Sequence, residues 1–337
     1  MAVLRNIKLD TIKSAIALTM SDEDTARDWA RQRWGVANAP EHVTKAAVSS
    51  TISSDVDTTA SVLEDRAFFG LVAERAVLPR LRGIRRSGFR VRTVTTSGAT
   101  AVFLGEGKAI PTFRPQFSNT GLLPKKVAAM TIATEAALNE ASGIEATIHA
   151  DLTAAFIDAM DGALLAPGNA GNAVTPASIT NGVSPVIASS DPAEDFEALV
   201  DNLGGDPGAA YVIMSPVSAT RLAGHQIGRE VGARGGEIAG IPVITSRRCP
   251  RDLVVLVDPG GLIADWEDVV HIEASRHGTV KMDTEPTMTA DSPTETTTLS
   301  LWQSNCVGFR AVGRVAWQRV RAGSVAVLQG GTGSWLF

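Results

Sequence analysis

Residues 104–138 read LGEGKAIPTFRPQFSNTGLLPKKVAAMTIATEAAL, and this stretch decides the fold. Its first half is irregular and rich in proline, and its second half enters KKVAAMTIAT at 125–134, which has strand character. An earlier strand-like segment, FRVRTVTTSGATAVF at 89–103, is broken at Ser97 and Gly98. A long two-stranded excursion has nothing of its own to bury its faces against, so it is unstable alone in water. The sequence therefore predicts an excursion that rests on a neighbour.

Composition places the chain among folded proteins and disfavours several functional classes. The 337 residues are 44% hydrophobic and 20% charged, which suits one large or two modest domains. A net charge of −5 disfavours a protein whose main task is neutralising nucleic-acid phosphates. Cys249 and Cys306 are too few for a disulfide framework or a zinc site and are interpreted as buried thiols. No apolar run approaches the roughly 18 residues of a membrane span, so we expect neither a secreted nor a membrane-bound protein.

A long helix is predicted after the excursion. Ser142 and Glu145 have the spacing of a capping box, and Pro167 with Gly168 ends the pattern. The apolar residues that recur at every fourth position are Ile144, Ile148, Leu152, Phe156, Met160 and Leu164. Residues at this spacing share one helix face, so we interpret the segment as a scaffold helix packed on the core.

Residues 167–265 have the pattern of a compact α/β lobe. Strands are predicted in AAYVIM at 209–214, in IPVITS at 241–246 and in LVVLVDPGGLIADW at 253–266. Ser215 is followed by proline and opens a helix between the first two strands.

The segment CVGFRAVGRVAW at 306–317 alternates between apolar and polar positions. The apolar face consists of Val307, Phe309, Ala311, Val315 and Trp317. Arg310, Arg314 and Gln318 occupy the other face. This alternation predicts a sheet with one buried face, whose other face is exposed to solvent or covered by another subunit.

The first 65 residues are polar around one helical pattern, SDEDTARDWARQRW at 21–34. They contain too few apolar residues to fold alone, so the segment is either a loose tail or an arm laid on another surface, and its two tryptophans favour the arm. Trp29 and Trp34 are the side chains expected to make its contacts.

The motifs of common active sites are missing from this sequence. GARGGEIAG at 232–240 lacks the glycine spacing of nucleotide-binding loops and is interpreted as a mobile surface loop. The five histidines include no HExxH pair, and Ser215 lies in MSP instead of a GxSxG elbow, so helix capping explains it. The acidic stretch at 191–206 is interpreted as a solvated helix face. We therefore predict no catalytic residue, no cofactor, no metal and no enzymatic activity.

Residues 104–138 resemble the signature of tailed-bacteriophage major capsid proteins of the Hong Kong 97-like family. They contain its GEG turn, an aromatic and proline-rich stretch, and a PKK that enters a strand. YVIMSPVSATRLA, IAGIPVITS and LWQSNCVGFRAVGRVAWQRV resemble further parts of that family in the same order. The resemblance covers about residues 65 to 328.

This resemblance implies an α+β fold with a fixed division of the chain. The expected parts are an N-terminal arm at 1–65, a connection at 66–88, an extended β-hairpin loop at 89–125, a peripheral domain with a long spine helix at 126–166, an axial domain at 167–265, peripheral strands at 266–322, and a C-terminal strand and tail returning to the axial domain at 323–337. In that family the extended loop lies across an adjacent subunit, which gives the unsupported excursion its neighbour.

The function implied by the resemblance is that of a major capsid protein. Such a chain assembles with itself as hexamers and pentamers into an icosahedral head that encloses double-stranded DNA without sequence-specific binding. The expected location is the virion capsid, with assembly in the host cytoplasm. Separate scaffold, portal and decoration proteins are further candidate partners, and the short N-terminal segment is expected to be a retained arm with any scaffold encoded elsewhere.

Inter-subunit contacts are expected from the extended loop and the arm. The charged candidates are Glu106, Lys108, Arg114, Lys125 and Lys126. The apolar candidates are Phe103, Phe113 and Phe117 in the loop and Trp29 and Trp34 in the arm. The arginines between Glu74 and Arg92 face either the genome or the acidic stretch at 191–206 of another subunit.

Two other functions stay open at this point. An encapsulin-like compartment would share the fold and enclose cargo enzymes instead of a genome. A soluble hydrolase would use Ser215 with one of the histidines, and it predicts a monomer or small oligomer that loses activity on Ser215→Ala.

Overall fold

The fold comes from a computed structural model, and the structure describes residues 23–34, 70–97, 116–140, 143–267, 270–281, 298–331 and 333–336. The chain divides into two compact units. The first consists of the described residues of Met1–Arg75, Val127–Ile157 and Glu267–Gly313, and the second of those of Ala76–Lys126, Asp158–Trp266 and Arg314–Phe337. Both helices and sheets are present, as an α+β fold requires.

The helices begin and end where caps and prolines allow. They are α1 (Glu23–Trp34), α2 (Val77–Arg80), α3 (Glu135–Glu140), α4 (Ile144–Leu165), α5 (Pro192–Asp201) and α6 (Pro216–Leu222). The helices α5 and α6 each begin with proline, preceded by Asp191 and Ser215, whose side chains accept hydrogen bonds from Ala193 N and Ser218 N. Short 3₁₀ turns occupy Pro207–Ala209, Gln226–Gly228 and Pro259–Gly261.

Among the described residues, the strands form two larger sheets and two separate pairs. In chain order they are β1 (Arg85–Arg86), β2 (Arg92–Ser97), β3 (Gln116–Gly121), β4 (Lys125–Thr134), β5 (Val186–Ala188), β6 (Tyr211–Met214), β7 (Val231–Gly232), β8 (Gly235–Ile238), β9 (Ile241–Thr245), β10 (Leu253–Val257), β11 (Leu262–Trp266), β12 (His271–Ser275), β13 (Thr279–Lys281), β14 (Thr298–Ser300), β15 (Cys306–Arg319) and β16 (Val325–Gly330). The pairs β2–β3 and β13–β14 each form a two-stranded sheet.

The second unit is built on a seven-stranded sheet with the order β5-β16-β10-β6-β9-β8-β7. The strand β10 is buried at all five positions, and it lies antiparallel to both β16 and β6. Phe196 and Leu199 of α5 and Leu222 of α6 pack on this sheet in one apolar core. The strands β6, β9 and β10 and the capped helix α6 lie where the sequence predicts them. The strand β11, predicted in the same lobe, instead pairs with β1 and β15 in the other larger sheet, and the extent of the lobe stays a prediction.

The first unit combines parts of α4 and β15 with the helix α1. Phe156 of α4 is 2% exposed, and a Cβ on Gly313 of β15 would lie 3.4 Å from its ring. The strand β12 pairs antiparallel with β15, from His271 opposite Val312 to Ser275 opposite Gly308. The residues expected to face inward on α4 and β15 are buried, apart from a half-buried Ile144, so both periodicities correctly predicted a core-facing side.

The pairing of the excursion differs from the sequence prediction. The strand β2 pairs with Gln116–Gly121, which the sequence analysis treated as irregular, and not with 125–134. The segment 125–134 is a strand, but it pairs with β15. The sequence QFSNTG has no apolar alternation, so its strand state depends on cross-strand pairing with RTVTTS instead of its own side chains.

The glycine-rich segment at 232–240 is not a mobile loop. It forms the β7–β8 hairpin, whose second strand pairs with β9. Gly236 has φ 147°, and a Cβ there would meet the carbonyl oxygen of Glu230 at 2.0 Å. Ile238 at the end of β8 is fully buried. The glycines therefore allow close backbone approach in a packed hairpin.

Candidate assembly surface at the hairpin root

The base of the β2–β3 hairpin, which we call the hairpin root, consists of residues 89–91 and 122–126. Arg90 N donates a hydrogen bond to Leu122 O at 2.8 Å, directly below the pair formed by Arg92 and Gly121. Arg90 has φ 63°, a conformation that a non-glycine residue adopts only where its surroundings impose it. The two chain segments are thus held together at the point where the hairpin begins.

Apolar packing fixes the root to the second unit. Leu122 is 3% exposed and forms a small cluster with Ile263 of β11 and Ala316 of β15. Phe89 packs against the same cluster. Lys125 is anchored as well, since its Nζ donates to the carbonyl oxygens of Asn172 at 3.0 Å and Ala173 at 2.8 Å. The root is therefore a rigid base for the hairpin.

The outer surface of the root is both apolar and cationic. Val91 is 55% exposed and Leu123 is 66% exposed. A groove of about 500 Å³ at the root is lined by Phe89, Arg90, Pro124, Lys126 and Arg314. Leu123 lines a separate cavity. Exposed apolar side chains and arginine are common at protein interfaces, whereas lysine is less common there.

A second cavity of about 510 Å³ lies in the same unit beside the 170–181 loop. Two of its polar side chains bond to this loop: Trp317 Nε1 donates to Ala177 O at 2.8 Å, and Arg319 donates to the carbonyl oxygens of Ile179 and Asn181. These bonds hold the loop on β15, so we interpret the cavity as space left where the loop is attached to the strand.

The predicted contact residues of the loop lie in different situations. Phe103, Glu106, Lys108, Phe113 and Arg114 lie outside the described residues, as does the side chain of Phe117 in β3. Lys126 is exposed in the groove, whereas Lys125 bonds to carbonyl oxygens of its own chain. Their roles between subunits stay predictions.

The two arm tryptophans make contacts within the first unit. Their rings meet edge to face with centroids 5.3 Å apart. Trp34 Nε1 donates to Glu145 Oε1 of α4 at 2.9 Å, and Arg33 donates to Leu138 O of α3 at 3.2 Å. The described helix α1 therefore lies on its own chain, and contacts of the arm with a neighbour stay a prediction.

Buried carboxyl groups are the sites that the sequence analysis missed. Asp161 is 1% exposed and accepts hydrogen bonds from Val77 N at 2.9 Å and Ser246 Oγ at 2.6 Å. Burial raises its pKa to about 6. Its neighbour Asp158 pairs with Arg248 at 2.6 Å, and this hydrogen bond holds the pKa of Asp158 below its ordinary value.

Asp195 corrects the interpretation of 191–206 as a wholly solvated face. It is 4% exposed and accepts hydrogen bonds from Ser189 N and from Trp335 Nε1, the latter at 2.9 Å. One carboxylate of the acidic helix therefore anchors the C-terminal segment, and those at 194, 197 and 201 face outward.

Ser215 does not have the surroundings of a nucleophile. Its hydroxyl is 2% exposed and is shared between Ser218 N at 3.0 Å and Ser218 Oγ at 2.7 Å. Among the described residues, no group of three or more possible metal ligands comes together. Within the same ranges, no helix has the length and apolar composition that crossing a bilayer requires.

Comparison with known proteins identifies the family. A model of the phage capsid family matches residues 58–330. The chain belongs to the phage capsid family. It is 31% identical over 327 residues to the capsid polyprotein of Pseudomonas phage PAJU2, an alignment that covers 88% of this chain and 48% of that protein. The chain thus spans about half the length of this curated relative.

Solved structures support the same fold. The chain is similar to a structure from Mycobacterium phage Adephagia (TM-score 0.54, 12% identity, covering 76% of this chain and 90% of that one). It is also similar to one from Microbacterium phage Oxtober96 (TM-score 0.54, 14% identity, 76% and 91%) and to the capsid of a native GTA particle (TM-score 0.52, 14% identity, 77% and 90%). The α+β capsid fold predicted from the sequence is confirmed, and the boundaries of its segments stay predictions.

Proposed function

We propose that the chain is the major capsid protein of a tailed phage and that it builds an icosahedral head from hexamers and pentamers of itself. The observation that carries this proposal is the hairpin root, which is rigidly attached and exposes Val91, Leu123 and two cations. Membership of the phage capsid family supports a structural and not an enzymatic role.

The pairing of the β2–β3 hairpin also supports the proposal. Its strands form a two-stranded sheet of their own, and within the described ranges no third strand joins it. A two-stranded hairpin is marginally stable in water unless another surface covers it. A neighbouring copy that supplies this surface would make the stability of the hairpin depend on assembly.

The finer features of the proposal follow the family pattern. We assign residues 1–65 to the arm, 89–125 to the extended loop, 126–166 and 266–322 to the peripheral domain, and 167–265 with the C-terminal strand to the axial domain. The head would enclose double-stranded DNA without reading its sequence and would assemble in the host cytoplasm before it forms the virion shell. Scaffold, portal and decoration proteins are its proposed further partners.

Electron microscopy and size-exclusion chromatography with light scattering on the full-length protein test the proposal. We expect closed particles tens of nanometres across, or free hexamers and pentamers. Nuclease-resistant DNA inside particles formed during infection would distinguish a phage head from a compartment that holds enzymes. A chain that stays monomeric at every concentration, with scaffold and portal also supplied, would refute the proposal.

A matched pair of variants tests whether the root surface is part of the contact between subunits. Leu123→Asp places a charge at the exposed apolar position of the root, and we expect it to reduce particle yield. Ile187→Asp is the control, since Ile187 of β5 is 62% exposed and lines neither cavity at the root. Equal yields for the two variants would show that the root surface is not part of the contact.

A further inference from the structure

The groove at the hairpin root concentrates positive charge. Arg90, Lys126 and Arg314 line it together, and all three side chains are exposed. Within the described part of the chain, neither Arg90 nor Lys126 has a carboxylate at ion-pair distance. Like charges held together on a rigid base repel one another, so the groove favours an anionic partner.

The apolar part of the groove lining indicates that this partner is a protein. Phe89 and Pro124 line the groove together with the cations. Nucleic-acid phosphates gain nothing from contact with such side chains, whereas a protein surface buries them with a favourable hydrophobic contribution. A mixed apolar and cationic surface therefore fits an acidic protein surface better than DNA.

The same chain carries an acidic surface of suitable shape on α5. Glu194, Glu197 and Asp201 follow one another at helical spacing on the exposed side of this helix. Ala198 lies among them, and its small side chain leaves room for another surface to approach. None of the three carboxylates has a cation at ion-pair distance within the ranges that the structure describes.

The buried side of α5 holds this acidic face in a fixed orientation. Phe196 and Leu199 are 4% and 0% exposed in the core of the second unit. Asp195 is bonded to Trp335, so it cannot turn outward without breaking a buried hydrogen bond. Both surfaces are thus preformed, which reduces the entropy lost when they meet.

We propose that the groove at the hairpin root of one copy receives the acidic outer face of α5 from the next copy in the ring. This inference rests on the proposed function, since it names the contact that closes the capsomer. A ring of identical chains needs two different surfaces on each copy that fit one another, and this pair provides them. Charge complementarity then sets the direction in which copies add.

Variants with reversed charges in the groove or on α5 test the contact. The variant Arg90→Glu/Lys126→Glu reverses the groove, and Glu194→Lys/Glu197→Lys reverses the helix. Each alone is expected to lower the yield of capsomers by roughly tenfold or more at low salt, because two pairs become repulsive. The control Arg229→Glu/Arg251→Glu makes the same change in net charge at exposed arginines outside the groove and is expected to assemble normally.

Mixing the two reversed chains gives a stricter test. Alternating copies restore opposite charges at every contact of a hexamer, whereas a ring of five cannot alternate. The equimolar mixture is therefore expected to regain hexamers without pentamers, and the fourfold variant is expected to regain both. Circular dichroism and thermal unfolding of each variant establish that the subunits remain folded.

Three results would overturn the inference. The first is a groove reversal that assembles normally, with or without a loss of packaged DNA. The second is a helix reversal that assembles normally while the groove reversal does not, which would assign the groove to another partner. The third is a mixture and a fourfold variant that both fail although every chain is folded. Failure of the unaltered chain to assemble would instead refute the proposed function, and the inference with it.

Discussion

Replacing Asp161 with asparagine is expected to remove the contribution of this carboxyl to the pH dependence of subunit stability. The carboxyl group is 1% exposed and has its pKa raised from 3.8 to about 6. Because the folded chain binds this proton more tightly than the unfolded chain, the contribution of Asp161 to stability is fully present below about pH 4 and is lost as pH rises towards and through 6. A difference of about two pKa units corresponds to about 3 kcal/mol.

The local geometry sets what the substitution does at each pH. Asparagine can accept from Val77 N through its amide oxygen and donate to Ser246 Oγ through its amide nitrogen, as the protonated carboxyl does at low pH. The two chains should therefore differ little in stability near pH 4. The variant should become the more stable chain by pH 8, because it has no charge to bury.

Urea unfolding of the full-length, unassembled chain measures this difference. Tryptophan fluorescence would follow the unfolding of both proteins from pH 4 to pH 8. Subtracting the unfolding free energy of the variant from that of the wild type cancels the effect of titrating groups that both chains share. Arg80 and Asp158 also act on this carboxyl, so Asp158→Asn is the control for the nearby ion pairs. A difference that stays constant with pH within about 1 kcal/mol, or one that grows as pH rises, would refute the reasoning.

Three further substitutions test the packing and the anchors. Phe156→Ala removes a ring that is 2% exposed and should cost about 3 to 5 kcal/mol in chemical denaturation; a cost under about 1 kcal/mol would contradict its place in the core. Trp335→Phe deletes the donor to Asp195 Oδ2 and should destabilise the chain by about 1 to 3 kcal/mol, whereas an unchanged urea midpoint would show that the C-terminal anchor is unimportant. Trp34→Phe removes the bond to Glu145 and should speed limited proteolysis near α1 with little effect on global stability; an unchanged cleavage rate would mean that this bond does not hold the helix.

Apolar periodicity was sufficient to predict the elements whose own side chains determine whether they form a helix or a strand. The helix α4 and the strand β15 repeat their apolar residues at the spacing of one buried face, and those faces are buried as predicted. The cap at Ser215 was also predicted correctly, because serine before proline at a helix start is a local signal. Each of these features is decided by residues close together in the chain.

The features that the sequence did not predict depend on contacts between distant residues. The strand β3 has no apolar alternation and becomes a strand by pairing with β2, whose paired residues lie 19 to 29 positions earlier. The buried state of Asp161 depends on Val77 and Ser246, which lie far away on either side of it in the chain. In the same way, the groove at the hairpin root brings Arg314 beside Arg90, and no local pattern could reveal that.

The two native thiols make the chain suitable for selective chemical labelling. Cys249 and Cys306 are 3% and 8% exposed, and they are the only cysteines in the sequence. Burial raises the pKa of Cys249, and since the thiolate is the reactive form, a maleimide has little to react with there. A cysteine introduced on an exposed loop would then carry a dye or a peptide at one known position per copy, without prior removal of the natural ones.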